Sequence, residues 1–186
     1  THGKPSEANA HPHTSCAGDI AIVHNGIIEN FAELRDELMA RGHSFASDTD
    51  TEVVAHLVEE AYDGDLRAAV ADATARLVGA YGLAVVCDRE PGTIIVTRKD
   101  SPIVVGRGAE GSYVASDMIA MIDATRDVVV LADGQTARLT AEGIEYFDEA
   151  GEPMEPAVTH VDWDIDMAEK GGHPDFMLKE IYEQPR

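Results

Sequence analysis

The apolar pattern changes period about halfway along the chain, and this switch restricts the fold more than any other feature. Before residue 80 the period is helical. Phe31, Leu34 and Leu38 recur at i, i+3 and i+7 between an N-cap residue, Asn30, and a helix-ending Gly42. Val54, Leu57, Val58 and Ala61 fit i, i+3, i+4 and i+7, with Thr49 and Glu52 at capping-box spacing just before them. After the Asp63-Gly64 break, Leu66, Ala69, Val70, Ala73 and Leu77 complete a third helical run. Such stripes must be buried together on one face.

From Tyr81 onward the apolar segments are short and β-branched: 83–87, 93–97, 103–105, 113–115, 128–131 and 136–139. Glu90-Pro91-Gly92 and Asp133-Gly134 are turn signals between them, the second favouring a tight hairpin. A further apolar strand, 20–23, precedes the helices. One strand, then helices, then a run of antiparallel strands predicts an α+β fold rather than a parallel, doubly wound sheet. Residues 141–186 depart from the pattern, holding 13 acidic and 3 basic residues with Pro153, Pro156, Gly171, Gly172 and Pro174. They read as a surface hairpin and then a linker, with a short helix from Asp175 that would bury Phe176, Leu178 and Ile181 or Tyr182.

The length of 186 residues suits one domain. Its formal charge of −21 argues against nucleic acid and against an anionic membrane surface, because both repel an acidic chain. No run approaches the roughly 18 to 20 apolar residues of a membrane span, and the polar start lacks the core of a signal peptide. Two distant cysteines, Cys16 and Cys87, are too few for a disulfide scaffold. A cytoplasmic protein is expected.

Several motifs invite chemistry and lose it on inspection. Gly106, Gly108 and Gly111 satisfy a dinucleotide spacing, but the residues after them read as a strand where a helix N-terminus would be needed, so a glycine-rich hairpin is expected. His11-Pro12-His13, with His2 and His24, lacks the i, i+4 helical pair of common metal sites. No metal ion and no cofactor are expected. Cys16 has no strand-to-helix turn to fix it as a nucleophile, and no strand leads from Thr1 to anchor it as an amino-terminal nucleophile. The informative segment is 20–30. There a buried strand runs into Asn25-Gly26 and then a helix, setting a side-chain amide and a backbone N–H side by side where two donors can face a developing oxyanion.

With its neighbours, that segment resembles a known family. Thr1-His2-Gly3-Lys4-Pro5-Ser6, Asn9-Ala10-His11-Pro12-His13, His24-Asn25-Gly26-Ile27-Ile28-Glu29-Asn30 and Asp48-Thr49-Asp50-Thr51-Glu52 resemble class II glutamine amidotransferases generally. Arg98-Lys99-Asp100-Ser101-Pro102, Ala115-Ser116-Asp117 and Lys179-Glu180-Ile181-Tyr182-Glu183-Gln184-Pro185 are similar to the glutaminase domain of glutamine:fructose-6-phosphate aminotransferases in particular. The resemblance implies the αββα sandwich of the N-terminal nucleophile hydrolases. It implies that Asn25 and Gly26 form an oxyanion hole, that Asp50 binds the α-amino group of L-glutamine, and that Thr1 and His2 belong to a loop closing over it. The implied partners are L-glutamine and, through an isomerase domain, fructose 6-phosphate, in a full-length homodimer. The reaction would yield glucosamine 6-phosphate.

The family's amino-terminal cysteine nucleophile and the arginine that holds the glutamine carboxylate have no counterpart here. The sandwich is therefore expected to be incomplete at its N-terminus, with 1–165 a partial glutaminase domain, 166–186 a linker, and no glutaminase activity in these residues alone. Two other readings stay open on sequence: another class II amidotransferase, phosphoribosyl or asparagine-forming, and a non-catalytic glutamine-binding module.

Overall fold

The computed structural model describes residues 3–162 together with Met177, Ile181 and Tyr182. Thr1 and His2, the expected boundary at 165, the linker and most of the tail helix from Asp175 lie outside the described residues.

The order is β1 (His13–Thr14), β2 (Ile20–Ile28), α1 (Phe31–Ala40), α2 (Glu52–Ala61), α3 (Leu66–Thr74), β3 (Gly79–Cys87), β4 (Ile94–Lys99), β5 (Val104–Arg107), β6 (Ser112–Ala115), a 3-10 turn (Met118–Met121), β7 (Asp127–Val130), β8 (Thr136–Leu139), β9 (Ile144–Phe147) and β10 (Val158–His160). Two antiparallel sheets result. One has six strands in the order β1-β2-β3-β4-β8-β9, the other four in the order β10-β7-β5-β6.

Three apolar clusters stack these layers. Leu34, Leu38, Val54, Leu57, Val58, Leu66, Ala69 and Val70 of the helices meet Ile20, Ile22, Ile28, Leu83 and Val85 of the six-stranded sheet. Val96, Ala137 and Leu139 then meet Val105 and Val129 across the two sheets. On the outer face of the second sheet, Val104 and Val128 pack with Met121, Ile122 and Val161. Adjacent residues such as Val104 and Val105 thus serve different clusters, which is why these strands are continuously apolar instead of alternating. Among the described residues the fourth layer of the expected αββα sandwich is represented by the 3-10 turn.

Asp65 caps α3 by accepting from Ala68 N–H at 3.0 Å. Gly42 follows α1 at φ +101°, a left-handed position that ends the helix. The Thr49–Glu52 capping box does not form as predicted. The Glu52 carboxylate accepts from the N–H groups of Ala46 and Ser47, both at 2.7 Å, and so fixes the turn before α2. Asn30 makes no side-chain cap either. Its amide donates to Arg76 O and accepts from Val78 N–H, joining the start of α1 to the end of the α3 segment.

Two turn readings need correction. Asp133-Gly134 is not a hairpin, because β7 and β8 belong to different sheets and the turn carries the chain between them. It is held there by Gly134 N–H on Arg98 O at 2.9 Å and by Asp133 accepting from Asp100 N–H at 3.0 Å. Asn25-Gly26 does not end a strand, since β2 continues to Ile28 in unbroken register with β3. The Gly106–Gly111 segment is the expected β5–β6 hairpin, with Arg107 opposite Ser112.

Candidate active site

The site is built on the second half of β2. His24, Asn25 and Gly26 lie opposite Leu83, Gly82 and Tyr81 of β3, while β1 pairs with β2 only at Ala21 and Ile22. Beyond Ile22, the β2 edge facing away from β3 has no strand on it among the described residues. Strand N–H groups alternate between the two edges. Glu29 N–H points to β3, donating to Val78 O, and Ile28 N–H points the other way, donating to Asp50 Oδ2 at 2.7 Å. By that alternation Gly26 N–H shares the open edge with Ile28 N–H.

Gly26 is a position that only glycine fits. Its φ is +139°, and a Cβ there would stand 2.1 Å from Ala80 O and 3.0 Å from Ser101 Oγ. Asn25 is exposed and lines a cavity of about 220 Å³ between the sheets, with Val23, Gly82, Ala84, Ile103 and Ser116. Gly82 keeps the opposite wall thin where Ile103 approaches it.

Asp50 is 1% exposed and sits in the turn just ahead of α2. Its carboxylate is fixed by the Ile28 hydrogen bond, so it is tied to the same strand that carries Asn25 and Gly26. Next to it, Thr51 Oγ1 lies 3.0 Å from His24 Nδ1. Burial pushes the His24 imidazole below its ordinary value, against the pull of Asp50. Thr49 Oγ1 lies 3.2 Å from His13 Nε2, and Asp48 N–H donates to Asn9 Oδ1 at 2.9 Å. Asn9 Nδ2 in turn donates to Lys4 O at 2.8 Å. The segment following Thr1 and His2 is thereby tethered to the Asp50 turn.

The structure therefore brings Asn25, Gly26 and Asp50 together along the second half of β2. Sequence reasoning passed over Asp100 and Ser101 as parts of this site. Asp100 has φ +60°, unusual for a non-glycine residue, and pairs with Tyr81 directly opposite Gly26, while Ser101 packs over the glycine. Cys16 faces His43 and His56, not the N-terminal histidines.

A family model described as a glutamine amidotransferase domain matches residues 3–123, a span that holds the whole β2–Asp50 constellation. The chain belongs to this glutamine amidotransferase domain family. Among curated relatives of this amidotransferase domain, the glutamine–fructose-6-phosphate aminotransferase (isomerizing) of Symbiobacterium thermophilum is 54% identical over all 186 residues. The protein of the same name from Clostridium tetani is 47% identical over the same span. The domain spans about 30% of the length of these relatives. A solved glutamine phosphoribosylpyrophosphate amidotransferase from B. subtilis, complexed with ADP and GMP, aligns with TM-score 0.62 at 24% identity, covering 72% of this chain and 30% of that one. That likeness shows the N-terminal nucleophile hydrolase fold of class II amidotransferases.

Proposed function

We propose that these residues are the glutaminase part of an enzyme that moves the amide nitrogen of L-glutamine to fructose 6-phosphate, giving glucosamine 6-phosphate and glutamate. The observation that carries this reading is the 54% identity along every residue to a protein named for that reaction. The β2 geometry supports it. Attack on the glutamine amide by a thiolate creates a tetrahedral oxyanion, and the Asn25 side-chain amide with Gly26 N–H are two neighbouring donors on an open strand edge. Asp50, anchored by Ile28 N–H, offers a fixed anionic acceptor for the substrate ammonium. Thr1 and His2 we assign to the loop that closes over glutamine.

The thiolate itself, and the arginine for the substrate carboxylate, have no counterpart in the 186 residues, so these residues alone are proposed to be inactive. Residues 1–165 form a partial glutaminase domain and 166–186 lead toward an isomerase domain that binds fructose 6-phosphate and dimerises. None of the described helices is long and apolar enough to cross a membrane, and both cysteines are free, in keeping with a cytoplasmic enzyme. The test follows the nitrogen. The full-length polypeptide, given amide-labelled glutamine and fructose 6-phosphate, should place the label in glucosamine 6-phosphate. Label transfer only to a phosphoribosyl or aspartyl acceptor, or no transfer, would overturn the reading.

A further inference from the structure

Away from β2, four side chains from three parts of the chain converge on one point. Cys16 lies in the β1–β2 turn, His43 in the connection after α1, and His56 and Glu59 one turn apart on α2. Cys16 Sγ lies 3.5 Å from His43 Nδ1 and 3.6 Å from His56 Nδ1. Glu59 Oε2 lies 3.2 Å from His43 Nδ1 and 3.5 Å from His56 Nδ1. All four atoms lie within 4.8 Å of one another. Tetrahedral zinc with bonds of about 2.3 Å to sulfur and about 2.0–2.2 Å to nitrogen and oxygen has ligand–ligand edges of about 3.4–3.6 Å. Three of the four measured edges have that length, and the fourth, His43 Nδ1 to Glu59 Oε2 at 3.2 Å, is slightly shorter.

Hydrogen-bond accounting points the same way. The far nitrogen of His43 has a carboxylate partner, Nε2 lying 3.3 Å from Glu60 Oε1, whereas His56 Nε2 is buried without a hydrogen bond, with Glu52 Oε1 3.6 Å away. Protons placed on those nitrogens leave both Nδ1 lone pairs aimed inward, beside the Glu59 carboxylate and the sulfur. A cation satisfies such a set, and carboxylates behind metal-bound histidines are a common supporting arrangement. The ligands are also held in place. Glu59 accepts from Cys16 and Ala17 N–H at 3.1 and 3.0 Å, and Ser44 N–H donates to Cys16 Sγ at 3.4 Å.

We propose that Cys16 Sγ, His43 Nδ1, His56 Nδ1 and Glu59 Oε2 form a tetrahedral zinc site that clamps the β1–β2 turn and the α1–α2 connection onto α2. All four positions carry protein ligands, which makes the role structural. The site lies one turn along α2 from Glu52, whose carboxylate braces the Ser47–Thr49 turn ahead of Asp50, so a bound ion would stiffen the segment carrying that residue.

The test uses tag-free, reduced and metal-stripped protein, titrated with Zn²⁺ against a chromophoric chelator and with Co²⁺ as a spectroscopic probe. One zinc per chain should bind at micromolar or lower concentration and raise Tm. The Co²⁺ form should show tetrahedral visible bands and a thiolate charge-transfer band. Cys16→Ser should abolish that band, and Cys16→Ser and His43→Ala should each weaken zinc binding by about tenfold or more. His11→Ala, in the N-terminal histidine group, should bind as the wild type does. Circular dichroism establishes that each variant is folded, and Cys16, being exposed, decides the matter if His43→Ala is not. A folded wild type that takes up no stoichiometric zinc, or a Cys16→Ser variant that binds it unchanged, overturns the proposal.

Discussion

The carboxylate of Asp50 accepts a hydrogen bond from the backbone N–H of Ile28 at 2.7 Å, which fixes a buried charge to the strand that carries Asn25 and Gly26. Two substitutions separate its two tasks. Asp50→Asn keeps an oxygen for Ile28 N–H and removes the charge. In the full-length enzyme its KM for glutamine should rise by about 10- to 100-fold, the worth of one charge-assisted hydrogen bond, with the fold intact. Asp50→Ala should in addition lose about 1–3 kcal/mol in urea denaturation, because a buried N–H is left unpaired. A KM within twofold of wild type for Asp50→Asn would remove Asp50 from the ammonium site.

Asn25 presents the opposite case. It is exposed and its side chain lines the inter-sheet cavity, so Asn25→Ala should change stability by no more than about 0.5 kcal/mol. Its kcat in the full-length enzyme should nevertheless fall about 10²- to 10³-fold, as for other oxyanion donors, with little change in KM. A loss below threefold would show that the amide does not face the oxyanion.

The helices were legible because three apolar stripes at helical spacing, punctuated by Gly42 and by Asp63-Gly64, leave little else for that half of the chain to form. β9 and β10 were not, since Ile144–Phe147 and Val158–His160 are short and only partly buried or exposed, with weak patterning. Asp133-Gly134 was misread because turn chemistry is local and carries no information about which sheet the next strand joins. The same limit applied at Asn25-Gly26. The dipeptide favours a turn, but pairing with Gly82 and Tyr81 keeps it extended, and the β-carbon that would prevent this is missing. Cys16, His43, His56 and Glu59 were beyond sequence reasoning for a different reason, since only the His56–Glu59 pair shares an element and their proximity is made by tertiary packing.

Acid should destabilise the protein in a window set by its buried histidines. His24 and His13 both titrate below 6.5 in the folded state, with burial the largest cause in each. A folded pKa below the unfolded one means that the unfolded chain binds more protons as pH falls past 6.5. Stability is therefore level with respect to these groups above that pH. It declines as pH drops from 6.5 toward the folded values and stops declining below them. Urea midpoints at pH about 7.5 and about 5.5 measure the effect, and His24→Gln should reduce the difference between them. An unchanged difference would show that His24 carries none of it.

Gly26 should be intolerant of any side chain. Alanine would place its Cβ 2.1 Å from Ala80 O and 2.8 Å from Ala80 C, both backbone atoms of the paired strand, at φ +139°. Rotating a side chain cannot relieve that clash, so β2 must part from β3 or change its backbone conformation. A loss of about 2–4 kcal/mol is expected for Gly26→Ala, well above the cost of truncating Asn25 beside it. Because Ser101 Oγ would also lie 3.0 Å from the new carbon, Ser101→Gly removes one of the three close contacts but leaves the two backbone ones. The double variant should accordingly recover only a minor part of the loss in urea denaturation. Full recovery would relocate the constraint from the Ala80 backbone to the Asp100-Ser101 turn.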